Sequence, residues 1–243
     1  MVANMIKKTC VFCDIDGCLT ERKNFPFNDK LYVKLITSIK LYKHFSLCTG
    51  RSIAYVEALT QMLNIKDWCI CENGCYWYHP IKDQIIYNNL IKEDTLIALQ
   101  EAKQIILSKK LSNLCKLELG KELCLSLNSL NNELSISELY QEIKNHCASS
   151  LLYISHSSTA VDITPLGINK GSALQQLIEQ ENINLNDCLG IGDSDGDLSF
   201  MTLVQHRACP ANASTEILKL CNYNSPFNYT TGIIDILERY KDE

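Results

Sequence analysis

The sequence predicts an α/β protein, a parallel-sheet core interrupted by an inserted α+β unit. Three observations predict it. Short apolar runs alternate with helical patterns over the first third of the chain. Alternating strands in hairpins then take over, and the first pattern returns from Pro165 onward. Strand–helix alternation at this period implies a parallel sheet with covering helices. The expected divisions are residues 1–76 and 165–243 for the core and 77–164 for the insertion.

Each element follows from its pattern. "TCVFCD" reads as a buried strand ending at Asp14. "NDKLYVKLITSIKLYK" places Leu31, Leu35, Ile39 and Tyr42 at helical spacing. "HFSLCTG" is the next strand, and "RSIAYVEALTQMLN" the next helix, with Ile53, Val56, Leu59 and Leu63 on one face. "WCICENG" is a third strand of the same sheet. "YWYHPIKDQIIYNN" reads as a hairpin turning between Pro80 and Asp83. "KEDTLIALQEAKQIILSKK" is a helix, and "CKLELGKELCLSLNS" a second hairpin around Gly120 and Lys121. "SISELYQEIKNHCA" is a helix capped by Ser135 or Ser137, and "LLYISHSSTAVDIT" supplies one or two strands. "PLGINKGSALQQLIEQENI" restores a helix with Leu174, Leu177 and Ile178 inward. "DCLGIGDSDGD" is a strand running into acids, "HRACPANA" a short strand and loop, and "TGIIDILERY" the closing helix.

Composition excludes several function classes. Apolar residues are 46% and charged residues 21% of 243, an ordinary globular balance. A net charge of −5 gives a nucleic-acid partner no electrostatic support. No apolar run approaches the ~18 residues that span a bilayer. "MVANMIKKTC" lacks the apolar core of a signal peptide. A soluble, cytoplasmic monomer or homodimer is expected. The 13 cysteines are odd in number and irregular in spacing, so buried reduced thiols are expected rather than staples. Cys69, Cys71 and Cys75 cluster, but no matching Cys/His pair follows at zinc spacing. The five histidines are scattered and read as structural.

The predicted sheet gives the polar residues their meaning, because sites in such sheets lie at the carboxyl ends of strands. Asp14, Thr49 and Asp193 each end a strand, and Lys170 begins the helix before the third of them. Asp14 and Asp16 straddle Ile15 and are expected to face one way, with Gly17 permitting the turn behind them. Asp193 and Asp197 add two carboxylates, and that much negative charge calls for a cation. Oxygen ligands beside phosphate favour Mg²⁺. Thr49, Gly50 and Arg51 open a helix whose free N–H groups suit a phosphate. Lys170 suits a transferring phosphoryl oxygen. The set fits phosphoryl transfer through an aspartyl-phosphate. A calcium loop at "GDSDGD" fails, because Leu198 and Val204 stand where glycine and glutamate belong. Gly190-x-Gly192 fails as a dinucleotide fingerprint, because Asp195 replaces the third glycine.

These residues resemble the haloacid dehalogenase superfamily of phosphohydrolases. Asp14-Ile-Asp16-Gly17-Cys-Leu-Thr20 looks like its first motif, Thr49 the second, Lys170 the third, and Gly192-Asp193-Ser194 with Asp197 the fourth. The position of the insertion, "ENG" at Glu72–Gly74 and "NKGSAL" at Asn169–Leu174 are similar to subclass IIB, the Cof-like and sucrose-phosphatase-like enzymes. The run "IGDSDGDLSFM…RACPANAS" is most similar to archaeal-type phosphoglycolate phosphatases. One residue departs from the pattern: Gly196 stands where the family usually has Asn. The resemblance implies a Rossmann-like core, an inserted cap and Mg²⁺-dependent hydrolysis of a small phosphomonoester, 2-phosphoglycolate first. It implies Asp14 as nucleophile and Asp16 as general acid and base. Asp14, Asp16, Asp193 and Asp197 would serve the metal, and Thr49, Gly50, Arg51, Lys170 and Asn212 the phosphate and substrate. A second anionic group on the substrate would meet Arg51 or a cap cation, Lys116, Lys121 or His156. The alternatives are a sugar-phosphate phosphatase, a phosphomutase, and a catalytically dead binding module.

Overall fold

The computed structural model describes residues 10–21, 25–108, 111–130, 134–157 and 160–241. The readings of residues 1–9, of Arg22 and Lys23, of Lys109 and Lys110, and of Ser158 and Thr159 fall outside them. The chain begins with β1 (Cys10–Cys13), α1 (Asp29–Ile39), β2 (His44–Leu47) and α2 (Ile53–Leu63). It continues through β3 (Cys69–Cys71), β4 (Tyr76–His79) and β5 (Gln84–Tyr87). Then come α3 (Glu93–Ile106), β6 (Cys115–Leu117), β7 (Leu125–Ser129), α4 (Ile136–Cys147), β8 (Leu152–His156) and β9 (Val161–Pro165). It returns with α5 (Lys170–Glu181), β10 (Cys188–Ile191), α6 (Leu198–Met201) and β11 (His206–Cys209). It ends with α7 (Thr215–Leu220), β12 (Tyr223–Asn224) and α8 (Tyr229–Tyr240).

The core sheet is parallel throughout, in the order β12-β11-β10-β1-β2. Helices cover both faces, which is why β1 and β10 read as continuous apolar runs. Along β1 the side chains alternate. Val11 and Cys13 join the cluster that holds Leu35, Ile39, Ile233 and Leu237 of α1 and α8. Cys10 and Phe12 join Leu174, Leu177 and Phe200 of α5 and α6. Fully burying a side chain such as Phe12 or Leu174 stabilises by about 1.5–3 kcal/mol. The parallel-sheet α/β class read from the sequence is therefore the fold of the core.

Three details differ from the sequence reading. β3 touches the parallel sheet by a single bridge, Cys48 to Ile70, and otherwise pairs antiparallel with β4. The β4–β5 hairpin, expected in the insertion, thus extends the core edge. The Trp77 indole N–H donates to the Ala173 carbonyl on α5 and anchors it there. Tyr42 lies beyond the end of α1, where its hydroxyl donates to the Leu237 carbonyl at 2.8 Å.

The inserted unit is a four-stranded antiparallel sheet, β6-β7-β9-β8, with α3 and α4 packed on it. Its interior is Leu99, Ala102, Ile106, Leu125, Leu139, Ile143, Val161 and Ile163. Ser135 rather than Ser137 caps α4, in a reciprocal bond pair with Glu138. Asn169 and Ser172 cap α5 in the same way, so Lys170 is the first residue of its helix. Among the described residues, no helix is long and apolar enough to cross a membrane.

Candidate active site

β1 delivers Asp14 to the carboxyl edge of the sheet, and its N–H extends the ladder by donating to the Ile191 carbonyl of β10 at 2.9 Å. The chain then doubles back. Gly17 N–H donates to Thr20 O, and Thr20 N–H to Ile15 O, both at 2.9 Å. Ile15 is buried beneath this turn while Asp16 stays half-open to solvent. Gly17 has φ +85°, and a Cβ there would lie 2.1 Å from Asp193 Oδ2. The position needs glycine twice over, for its backbone angle and for the carboxylate that fills the space.

Asp14 and Lys170 are each 6% exposed and Asp197 0%. Lys170 Nζ donates to Asp14 Oδ1 at 2.9 Å and to Asp197 Oδ1 at 2.6 Å. The other oxygen of Asp197 accepts from the N–H groups of Asp193 and Ser194, both at 3.0 Å, and from the Ser194 hydroxyl at 3.1 Å. Asp197 therefore braces the loop and the lysine with both oxygens. Carboxylate oxygens of Asp14, Asp193 and Asp197 lie within 4.8 Å of one another. Burial first, then the charge of Asp197, pushes Asp14 up to about 7. Burial and then the charges of Asp14 and Asp197 push Asp193 up to about 8. Burial works against the charge on Lys170, but Asp14 and Asp197 outweigh it and hold the ammonium well above its ordinary range. One cation thus serves three carboxylates, an all-oxygen donor set that fits a hard divalent ion.

The second strand end supplies the other wall. Thr49 is buried, and its hydroxyl oxygen accepts from the Arg51 N–H at 3.1 Å, which leaves the hydroxyl hydrogen free to donate. Gly50 is packed so closely that a Cβ would sit 2.8 Å from Asn73 Oδ1. Helix α2 starts at Ile53, two residues later than expected. The Arg51 guanidinium forks onto Asp16, Nε to Oδ2 at 2.7 Å and Nη2 to Oδ1 at 2.6 Å. It also lies 4.5 Å from the centre of the Tyr55 ring and 3.9 Å from Glu118 of the inserted unit. Lys121 sits 3.5 Å from Glu118 and donates to Ser126 at 2.6 Å. Lys116 and His156 are exposed on their strands.

The family profile of the haloacid dehalogenase-like hydrolases matches residues 11–115 and 101–237. The chain belongs to this family. Two relatives of this hydrolase bear the name phosphoglycolate phosphatase. That of Picrophilus torridus is 26% identical over 95% of this chain and 90% of its own length. That of Methanospirillum hungatei is 25% identical over 95% of each. Among solved structures, Thermoplasma acidophilum 0175 superposes with a TM-score of 0.75 at 22% identity, covering 97% of this chain and 99% of that one. The subclass IIB sugar phosphatase BT4131 does so at 0.67 and 16%, covering 97% and 100%. Both likenesses concern the fold.

Two residues singled out from the family pattern have definite surroundings in this hydrolase. The Asn212 amide donates to the Gly17 carbonyl at 2.9 Å and accepts from the Tyr229 N–H at 2.8 Å, so it ties the Asp16–Gly17 turn to the start of α8. A Cβ at Gly196 would meet only Ser194 Oγ, at 3.6 Å. The bonds to Asp197 are complete without a side chain there. The cysteines beside the motifs, Cys13, Cys18 and Cys48, are buried thiols, and Cys18 donates to Asp193 Oδ1 at 3.7 Å. Glu118 carried no signal in the sequence that marked it for the site, whereas Ser194, read there only as part of the fourth motif, proves to bond Asp197.

Proposed function

We propose that this hydrolase is a Mg²⁺-dependent phosphatase that cleaves a small phosphomonoester through an aspartyl-phosphate on Asp14, with 2-phosphoglycolate the leading substrate. The observation that carries the reading is Lys170 lodged between Asp14 and Asp197, with Asp193 beside them and Asp16 at the rim. Asp14, Asp193 and the Asp16 carbonyl would hold Mg²⁺, with Asp197 behind them, and the ion would neutralise phosphate charge.

The residues divide the chemistry. Lys170 engages Asp14 Oδ1 and leaves Oδ2 to attack phosphorus. As the new P–O bond forms, the bond to the substrate's alkoxide breaks, and Asp16 gives that alkoxide a proton. Asp16 then takes a proton from water, whose oxygen displaces Asp14 from phosphorus and frees phosphate. Arg51 aims Asp16 through its two-pronged bond, and because both carboxylate oxygens accept in that fork, Asp16 gives up at least one prong when it carries the proton. Thr49 donates its hydroxyl to a phosphate oxygen, and Asn212 keeps the Asp16–Gly17 turn in place. The four-stranded unit acts as a cap and brings Glu118 and Lys121 to the rim.

EDTA is expected to stop phosphate release, Mg²⁺ to restore it, and Ca²⁺ to fail. Calcium prefers longer bonds and higher coordination, which spoils in-line geometry. Full activity in chelator would remove the metal from the reading.

Substrate choice rests on the relatives' names and on the rim cations. Lys121 is the cap cation beside Arg51, and a substrate carboxylate would approach that pair. Glu118, Ser126 and Asp162 stand around the same lysine and suit sugar hydroxyls instead, which favours a sugar-phosphate phosphatase as the second reading. For 2-phosphoglycolate, kcat/KM is expected to exceed that for glucose 6-phosphate by ~10-fold or more, about 1.4 kcal/mol in transition-state binding. Equal or faster turnover of hexose phosphates would transfer the assignment to the second reading.

A further inference from the structure

We propose that Glu72 is the group that docks the cap onto the core, and that the turn it stands on passes this docking to Thr49 and Arg51. Glu72 lies in none of the four motifs, yet its side chain is 1% exposed. A buried carboxylate is costly without partners. Its partners are three consecutive backbone N–H groups of the loop between β6 and β7. Glu122, Leu123 and Cys124 donate to it at 3.1, 2.8 and 3.0 Å. A carboxylate that collects three such bonds is a strong, directional anchor. Asn73 and Cys75 add weaker contacts to the same loop, at Cys124 Sγ and the Leu123 carbonyl.

The backbone beneath Glu72 faces the other way, into the site. Glu72 and Asn73 both adopt left-handed angles, φ +46° and +55°, which non-glycine residues seldom take. Strain of this kind persists where surrounding bonds enforce it, and it collects at functional sites. Here the Glu72 N–H donates to the Arg51 carbonyl and the Asn73 N–H to the Thr49 carbonyl, both at 3.0 Å. Gly74 follows at φ +103°, so close to the start of α5 that a Cβ would lie 2.4 Å from the Asn169 carbonyl. The turn thus grips the phosphate-side loop with its backbone, abuts the helix that carries Lys170, and holds the cap with its side chain.

The docked loop has its own business at the rim. It carries Glu118 to 3.9 Å from Arg51, whose guanidinium orients Asp16. Gly120, at φ +83°, sits over the Ser52 hydroxyl. Release of residues 122–124 from Glu72 would withdraw Glu118 and Lys121 together. Glu72 is therefore a positioning residue, acting on the reaction through the cap loop and through Thr49 and Arg51. This rests on the phosphatase reading of the site for its catalytic consequence, but not for the docking itself.

Amide hydrogen exchange on the full chain tests the docking without reference to activity. In Glu72→Ala the amides of Glu122, Leu123 and Cys124 are expected to exchange at least ~10-fold faster, while those of β1 and β10 keep their protection. Glu72→Gln keeps the shape and one accepting oxygen, so a smaller acceleration at the same three amides is expected, and it decides the matter if the alanine variant does not fold. Unchanged exchange at residues 122–124 in a folded variant overturns the proposal. So does a loss of protection spread evenly over the chain. Assayed on whichever phosphomonoester the parent cleaves best, kcat/KM of Glu72→Ala is expected to drop ~10-fold or more. Parental activity despite a freed loop would overturn the coupling to Thr49 and Arg51. If the parent cleaves no phosphomonoester, the phosphatase reading fails and the exchange result still decides the docking.

Discussion

An Asp14→Asn enzyme is expected to release no measurable phosphate while folding as the parent does. Asparagine matches aspartate in volume, and its carbonyl oxygen can still accept from Lys170, which sits 2.9 Å from Asp14 Oδ1. The buried lysine also keeps Asp197 at 2.6 Å, so it is not left without a counter-charge. What disappears is the proposed nucleophile, because an amide does not displace an alkoxide from phosphorus, and one negative charge of the proposed metal set goes with it. Residues that act as a unit are lost together, so the fall should reach ~10⁴-fold or more. Phosphate release at saturating substrate, beside a thermal melt that reports the fold, checks both halves. Residual activity above about a few per cent, in protein whose introduced amide has not reverted to the acid by deamidation, would assign the attack to another group.

Lys170→Met should damage activity and stability together. Methionine fills much of the volume of the lysine stem but carries no charge. Asp14 and Asp197, both nearly dry, would then face each other with no cation between them. Removing one partner of a buried ion pair costs about 3–5 kcal/mol. For a chain of this size the melting temperature should fall on the order of 10 °C. Turnover should fall by ~10²–10³-fold or more, as when a preorganised charge is taken from developing negative charge. A melt within about a degree of the parent would mean that Lys170 is not the counter-ion of these carboxylates. Turnover within ~10-fold would mean that it contributes little to the reaction.

Much of this architecture was legible in advance, and the exceptions have physical causes. β1 and β10 stood out because helices cover both faces of them, so four residues in a row are apolar. The helices α2 and α5 stood out because their inward residues recur at helical spacing. α6, α7 and β12 did not, because elements of four, six and two residues are too short to display a period. β3 was legible as a strand, but its partner was not. A three-residue run such as Cys69–Cys71 carries no mark of whether its neighbour is the parallel sheet or a hairpin. Its single bridge to Cys48 and its ladder to β4 together make the hairpin part of the core edge.

By itself the sequence determined which residue types stand at the ends of the core strands, and so which carboxylates, hydroxyl and lysine could meet. That information is local: a strand that ends in aspartate at the carboxyl edge of a parallel sheet delivers it to the common crevice. The tertiary structure decided who bonds to whom. It placed the Arg51 fork on Asp16, turned both oxygens of Asp197 to bracing, and set the Asn212 amide between Gly17 and Tyr229. It also brought Glu72 to Glu122, 50 residues further along the chain. Periodicity encodes which face of an element is apolar. Hydrogen bonds between distant polar groups depend on separations of tenths of an ångström, and those exist only once the apolar faces have packed.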